Sequence, residues 1–296
     1  MGIRTNITIE QINKLIKDMG IIIDKIEPTK DGISDSTYII FDKNKKYIFK
    51  IYEFASEKEI INEIEILNSL KTLPVPKVIT NINKIKLYNN KPTALFSFLD
   101  GYSLTTNITL EQVKEIGSFL GKFHSLSKNI ISINKNIYSQ ENLKTYLNNI
   151  KKSNIDKNIL KNFEDKYNIV KNLDLKSNGV IHGDLFPDNA KFINNKLSGV
   201  FDFIEACNGN FAFDLSVLIN SWCFNDDYTL NNKFFINIVK AYNKTTSMII
   251  EKNSIKEYMR YSCLFYACQR YNTKYIEKRD VEVKDYNEYL IKFENI

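Results

Sequence analysis

Gly179-Val180-Ile181-His182-Gly183-Asp184-Leu185-Phe186-Pro187-Asp188-Asn189, with Gly199-Val200-Phe201-Asp202-Phe203 shortly after it, carries more chemical information than any other part of the chain. Gly179 to Ile181 reads as a short apolar strand that ends on His182-Gly183-Asp184, and four residues separate Asp184 from Asn189. Ala190 to Ile193 and Lys196 to Phe203 are expected to be the arms of a β-hairpin, because Asn194-Asn195 between them suits a tight turn. Such a hairpin folds Asp202 back beside Asn189, so the side-chain oxygens of Asp184, Asn189 and Asp202 are expected to converge.

That donor set suits a hard divalent cation. Magnesium keeps several waters and takes only one or two protein oxygens alongside phosphate oxygens, which Asn189 and Asp202 can supply as metal ligands. Asp184 and Asn189 stand at the spacing by which a kinase catalytic loop offers one carboxylate to a hydroxyl and one amide oxygen to a metal. In this reading Asp184 is the catalytic residue: it holds an acceptor hydroxyl in line with a γ-phosphate and stands ready for its proton. His182 is assigned a structural role, its ring bonding backbone or Asp202 and stiffening the loop.

Working outward, 296 residues leave room for about two lobes, and 43% hydrophobic residues fit a globular chain. The formal charge of +6 comes from scattered Lys, with Arg only at positions 4, 260, 270 and 279. A nucleic-acid footprint would cluster and favour Arg forks, so no nucleic-acid partner is expected. Cys207, Cys223, Cys263 and Cys268 make no Cys-x-x-Cys, and His124 and His182 are the only imidazoles; this is not zinc spacing, and free thiols fit a reducing compartment. No run approaches the roughly eighteen apolar residues of a spanning helix, and the N-terminus lacks a signal-peptide core. The reading is cytoplasmic with no membrane partner. Met1-Gly2 invites myristoylation, but Asn6 stands where Ser or Thr is wanted.

Before the central stretch, Thr8 and Gln11 have capping spacing for a helix to Met19, ended by Gly20. Strands are expected at Ile21 to Ile26, Thr37 to Phe41 and Tyr47 to Tyr52. Between the first two lies a small-residue loop containing Gly32, Ser34 and Ser36, of the kind that covers phosphates with backbone N–H groups and small hydroxyls. Lys50, in an otherwise apolar strand, is either an edge-strand charge or a phosphate ligand. Ser56 and Glu59 open a helix carrying Glu63, which can pair with Lys50, with Glu59 and Glu65 as competitors. Leu73-Pro74-Val75-Pro76-Lys77-Val78 starts a fourth strand, and Asn89-Asn90 turns into Thr93 to Phe98. The expected division is 1–98, a hinge at 99–103, and a helical part 104–296. Helices are expected at Leu110 to Leu126, Ser139 to Lys152, Leu160 to Val170, Asn232 to Tyr242, Ser254 to Tyr275 and Glu282 to Lys292. His124 is read as a packing or capping residue. Asp214 can cap its own helix or brace the loop of Asp184 by accepting backbone N–H groups; both roles are structural.

With Lys50, Glu63, Leu73-Pro74-Val75-Pro76, Phe98-Leu99-Asp100-Gly101, His182-Gly183-Asp184, Asn189, Asp202 and Asp214 in order, the chain resembles the aminoglycoside phosphotransferase and choline kinase superfamily from about residue 25 to 225. The resemblance implies an α+β, bilobal protein-kinase-like fold: a small antiparallel-sheet N-lobe with one long helix, and a mainly helical C-lobe. It also implies ATP and Mg2+ as cofactors, with ATP held by backbone of Ser97 and Leu99 and by Lys50 on its phosphates. Asp-Leu-Phe at 184–186, Ala-Cys-Asn at 206–208 and Trp222-Cys223 look most like the homoserine kinase branch. Ser221, Glu205 and Phe265 depart from it, where Asp, an aromatic residue and Arg are common.

Homoserine is a zwitterion with a primary hydroxyl. Its pocket wants a cation for the carboxylate, for which Arg270 or else Arg260 can serve, and an acid for the ammonium, for which Glu205 can serve. Choline or ethanolamine would want aromatics or acids without the Arg, and Trp222 and Tyr266 keep that option open. An aminoglycoside would want a broad acidic cleft. A non-catalytic interaction module would lack a metal ligand or the base, and all three residues are present. The expected partner is a small-molecule alcohol substrate, and the chain a monomer or homodimer.

Overall fold

The computed structural model describes residues 3–29, 35–43, 45–104, 106–279 and 283–296. It separates into two units, residues 1–100 with 199–204, and residues 101–198 with 205–296. The segment 199–204, left by the sequence reading inside the C-terminal part, clusters with the first unit.

In the first unit, helix α1 (Ile9–Leu15) begins with the reciprocal Thr8/Gln11 capping box. Strands β1 (Lys25–Pro28), β2 (Ser36–Asp42) and β3 (Lys45–Ile51) follow, then helix α2 (Glu57–Ser69), capped by Ser56 and Glu59, then β4 (Lys86–Tyr88) and β5 (Lys91–Ser97). The five strands form one antiparallel sheet in the order β1-β2-β3-β5-β4. Ile12, Ile16, Ile21, Ile23, Tyr38, Ile40, Phe49, Ile51 and Leu95 close one core. Ile21 and Ile23 enter it from irregular chain, so the first strand lies later than the sequence suggested. The strand expected at Leu73 to Val78 shrinks to a single bridge from Val78 to Phe96, since Pro74 and Pro76 have no N–H for a ladder. Asn89 and Asn90, at φ 50° and 62°, make the turn before β5 that the sequence indicated.

The second unit contains β6 (Tyr102–Ser103), α3 (Leu110–Ser127), α4 (Gln140–Lys152), α5 (Lys157–Val170), β7 (Gly179–Ile181), β8 (Ala190–Ile193), most of β9 (Lys196–Val200), β10 (Cys207–Gly209), α6 (Phe211–Trp222), α7 (Asn232–Asn243), α8 (Ile255–Tyr271) and α9 (Asn287–Glu294). β8 and β9 are joined by Asn194 and Asn195 at φ 49° and 63°, the pairing that a two-residue hairpin turn demands. β10 runs antiparallel to β7. α6 is buried on almost every side, as a helix apolar all round must be. The last helix begins at Asn287; the expected start at Glu282 lies outside the described residues. Among the described residues no helix is long and apolar enough to cross a membrane, and the four cysteines are free and buried.

Candidate active site

β7 hands the chain to a turn at Gly183, whose φ is 78°. A Cβ there would stand 2.3–2.5 Å from the ring of Tyr138, so both the backbone and the space call for glycine. The Asp184 N–H donates to His182 Nδ1 at 3.2 Å, which gives the buried imidazole its stiffening role. A single turn, Pro187–Asn189, then brings Asn189 under Asp184. The Asn189 amide nitrogen donates to the Asp184 carbonyl at 2.7 Å and to its carboxylate Oδ2 at 3.0 Å. Its nitrogen side is thus committed to Asp184, so Oδ1 faces away, and among the described residues no donor reaches it. A free, oriented amide oxygen is a fitting ligand for magnesium.

Beneath this loop, Asp214 in the first turn of α6 accepts the His182 N–H at 2.9 Å and the Gly183 N–H at 2.8 Å. His124 Nε2 lies 2.9 Å from the same carboxylate, and its Nδ1 lies 2.8 Å from the Tyr242 hydroxyl. A neutral ring with the proton on Nε2 satisfies both contacts: it donates to Asp214 and accepts from Tyr242. Burial pushes His124 below its ordinary value. Burial works against ionised Asp214, but the hydrogen bonds it accepts from His124 and from the His182 N–H outweigh it and hold the carboxyl low. Asp214 is therefore an ionised brace with three N–H donors. Trp222 Nε1 donates to the Leu185 carbonyl at 3.0 Å, the Tyr266 hydroxyl donates to the Gly183 carbonyl, and Ser127 Oγ donates to the Val180 carbonyl at 2.6 Å.

Lys50 lies in the first unit on β3, the middle strand of five, paired with Thr37 on β2 and Ala94 on β5. This removes the edge-strand alternative. Phe49 and Ile51 point into the core, so alternation sends Lys50 to the opposite face. Its ammonium is 3.0 Å from Asp35 Oδ2 and 3.1 Å from Asp202 Oδ1, and 4.6 Å from the centre of the Tyr52 ring. Burial alone would discharge it, but Asp202, Asp35 and Glu63 raise its pKa well above the ordinary lysine range. The expected Lys50–Glu63 ion pair is not formed. Glu63 instead accepts the Tyr52 hydroxyl at 2.5 Å and the Phe203 N–H at 3.2 Å, and burial raises its pKa. That amide bond anchors the segment carrying Asp202, which sits at φ 67°, a conformation few non-glycine residues adopt without local support. Two carboxylates, Asp35 and Asp202, against one ammonium leave an excess of negative charge, which a divalent cation can offset.

The sequence pattern of the phosphotransferase enzyme family (APH) matches residues 25–243. The chain belongs to that family. A homoserine kinase of Methylobacillus flagellatus is 28% identical over 244 residues, covering 78% of this chain and 74% of the relative. Choline kinase LicA of Streptococcus pneumoniae superposes with a TM-score of 0.68 at 15% identity, over 97% of each chain. Spectinomycin phosphotransferase APH(9)-Ia, solved with ADP and spectinomycin, superposes with a TM-score of 0.63 at 17% identity, over 98% of this chain and 94% of its own. The α+β fold, with its antiparallel-sheet N-terminal region and helical C-terminal region, is the protein-kinase-like fold of these phosphotransferases. The enzyme is a small-molecule kinase.

Other residues singled out in this phosphotransferase have different fates. Gly32 and Ser34 lie outside the described residues. Ser36 is buried, and its Oγ accepts the Arg4 and Thr5 N–H groups at 2.9 Å each while donating to Glu53; this corrects its assignment to a phosphate loop, because the hydroxyl ties the N-terminal segment to β2. The Ser97 N–H is bonded to the Lys77 carbonyl, and Leu99 packs its side chain on Gly199. Trp222 is 1% exposed; it supports the loop from within and is not a pocket wall. Arg270 donates to Glu288 at 2.7 Å and to the Asp285 carbonyl at 2.9 Å, over the Tyr289 ring, so its charge is already matched and it is not an unpaired cation. Glu205 is exposed and accepts the Tyr138 hydroxyl at 2.9 Å. The pairing of β10 with β7 ends at Cys207 opposite Ile181, two residues short of Glu205 on one strand and of Gly183 on the other. Sequence reasoning missed Tyr138 and Asp35. The place of Asp35 within the small-residue loop, between Ser34 and Ser36, was the signal for it; nothing local marked Tyr138.

Proposed function

We propose that this kinase transfers the γ-phosphoryl group of ATP to the hydroxyl of a small amino alcohol, homoserine first, giving O-phosphohomoserine. The observation that carries the reading is the Asp184–Asn189 pair, which fixes a carboxylate beside an amide whose free oxygen faces outward. The homoserine kinases among its relatives support the choice of acceptor. Asn189 and Asp202 are the proposed magnesium ligands, Asp202 on the strength of the charge excess around Lys50. When bound, the ion and the nucleotide supply the phosphoryl donor and neutralise its charge. The chain's own part is to hold and orient. Asp184 accepts the hydrogen bond of the acceptor hydroxyl and takes its proton late. Lys50 holds phosphate oxygens, and backbone at Ser97 to Leu99 is assigned to the base.

Glu205 is the proposed ammonium acceptor. Because Arg270 is already paired with Glu288, an acceptor with an amine and no carboxylate, such as ethanolamine or choline, is the second reading. ADP release measured with L-homoserine, choline, ethanolamine and kanamycin discriminates them. The expected result is the highest kcat/KM for homoserine, with Glu205→Gln raising acceptor KM and leaving nucleotide KM unchanged. Preference for choline or ethanolamine would replace the acceptor; absence of ADP release with every alcohol would overturn the assignment.

A further inference from the structure

We propose that Asp35 is a positioning residue that competes with nucleotide phosphate for Lys50, making nucleotide affinity depend on the divalent cation. The inference rests on the proposed role of Lys50 in binding phosphate. Asp35 is held as a built part of the site: one carboxylate oxygen accepts the Glu53 N–H at 3.0 Å, the other lies 3.0 Å from Lys50 Nζ, and its side chain is 9% exposed. The ammonium also contacts Asp202, at 3.1 Å. Two of the three Lys50 N–H donors thus have carboxylate partners within its own unit, so a phosphate oxygen that reaches the ammonium either takes the remaining donor close beside both carboxylates or displaces one of them.

Asp202 has another use, since a metal ion that brings the phosphates also needs that carboxylate. Asp35 has none. Two anions each about 3 Å from one nitrogen lie within roughly 6 Å of each other, where repulsion at a partly buried site is appreciable. A divalent cation on the phosphates offsets that repulsion; a metal-free nucleotide meets it in full. Asp35 thus keeps Lys50 oriented before phosphate arrives, and disfavours retention of a nucleotide that has lost its metal.

The test is calorimetric titration of ADP, with and without magnesium, into the wild-type chain and into Asp35→Asn. The amide can still accept the Glu53 N–H but carries no charge. The expected result is about tenfold tighter binding of metal-free ADP, a smaller gain with magnesium, and a lower KM for ATP. Asp35→Ala, which removes the carboxylate altogether, is expected to shift metal-free binding in the same direction. A merely structural role would weaken both forms of nucleotide alike and leave the ratio between them unchanged. Unchanged or weaker metal-free ADP binding in both folded variants, with the wild type binding normally, overturns this proposal alone. If the wild type binds no adenine nucleotide, the functional reading falls with it.

Discussion

Replacing Asp214 by Asn tests how firmly the catalytic loop is held from below. The native carboxylate receives three donors, the N–H groups of His182 and Gly183 and His124 Nε2. Asn offers one acceptor oxygen and a pair of donors. If Oδ1 keeps the Gly183 N–H, the amide nitrogen faces the His182 N–H. His124 can adapt by moving its proton to Nδ1, with the Tyr242 hydroxyl turning to accept it, but the His182 amide stays buried and unpaired. An unsatisfied buried donor costs about 1–3 kcal/mol, and replacing a charged acceptor by a neutral one adds about 1 kcal/mol. A loss of roughly 3 kcal/mol lowers the melting temperature by roughly 6–10 °C. The loosened bond adjoins Asp184, and small misplacement of a reacting carboxylate lowers turnover by about 10- to 100-fold. Scanning calorimetry and a coupled ADP assay read the two effects. An Asp214→Asn protein that melts within about 1 °C of wild type and turns over normally would show that the loop is held by something else.

The remaining expectations concern the same loop. Asp184→Ala should leave ADP binding near normal while lowering turnover by about 10² to 10⁴; wild-type turnover in that variant would remove Asp184 from the chemistry. Gly183→Ala places a methyl group 2.3–2.5 Å from the Tyr138 ring at a φ of 78°, and should destabilise by about 2–3 kcal/mol, read as a lowered urea midpoint; an unchanged midpoint would mean the ring yields freely. Acid should weaken the fold in two stages. His124 is depressed by burial, so its contribution is fully present above the unfolded value of about 6.5 and fades as pH falls towards the lower folded value. Asp214 is held low, so its contribution is present above about 3.9 and is lost only at lower pH, as its own folded pKa is passed. Melting temperatures that rise between pH 7 and pH 5 would contradict the sign.

Much of this architecture is written locally. The Thr8/Gln11, Ser56/Glu59 and Thr109/Gln112 capping boxes form as their three-residue spacing implies, and the paired asparagines at 89–90 and 194–195 take up left-handed turn conformations. Spacing likewise marks Asp184 and Asn189, because the turn between them is short enough for sequence distance to set spatial distance. The readings that failed share a different property. Each concerned a group whose remaining capacity to bind depends on a partner far along the chain. The Ser36 hydroxyl serves Thr5, 31 residues away. Arg270 is neutralised by Glu288, 18 residues on and in the next helix. The Trp222 indole reaches the Leu185 carbonyl, 37 residues back.

Residue type states what chemistry a side chain can perform; only the folded register states how much of that capacity is still free. Lys50 shows the difference most clearly. Its place in a strand ahead of a helix carrying acids suggested Glu63, the seventh residue of α2. Sheet pairing, however, sets Lys50 opposite Thr37, and Asp35 lies two residues before that partner, close enough to reach the ammonium across adjacent strands. The Phe203 amide meanwhile claims one oxygen of Glu63 and the Tyr52 hydroxyl the other. The acid that faces the lysine is therefore chosen by strand register and by competition among donors, and both are settled only when residues 35, 50, 63 and 202 are brought to one place.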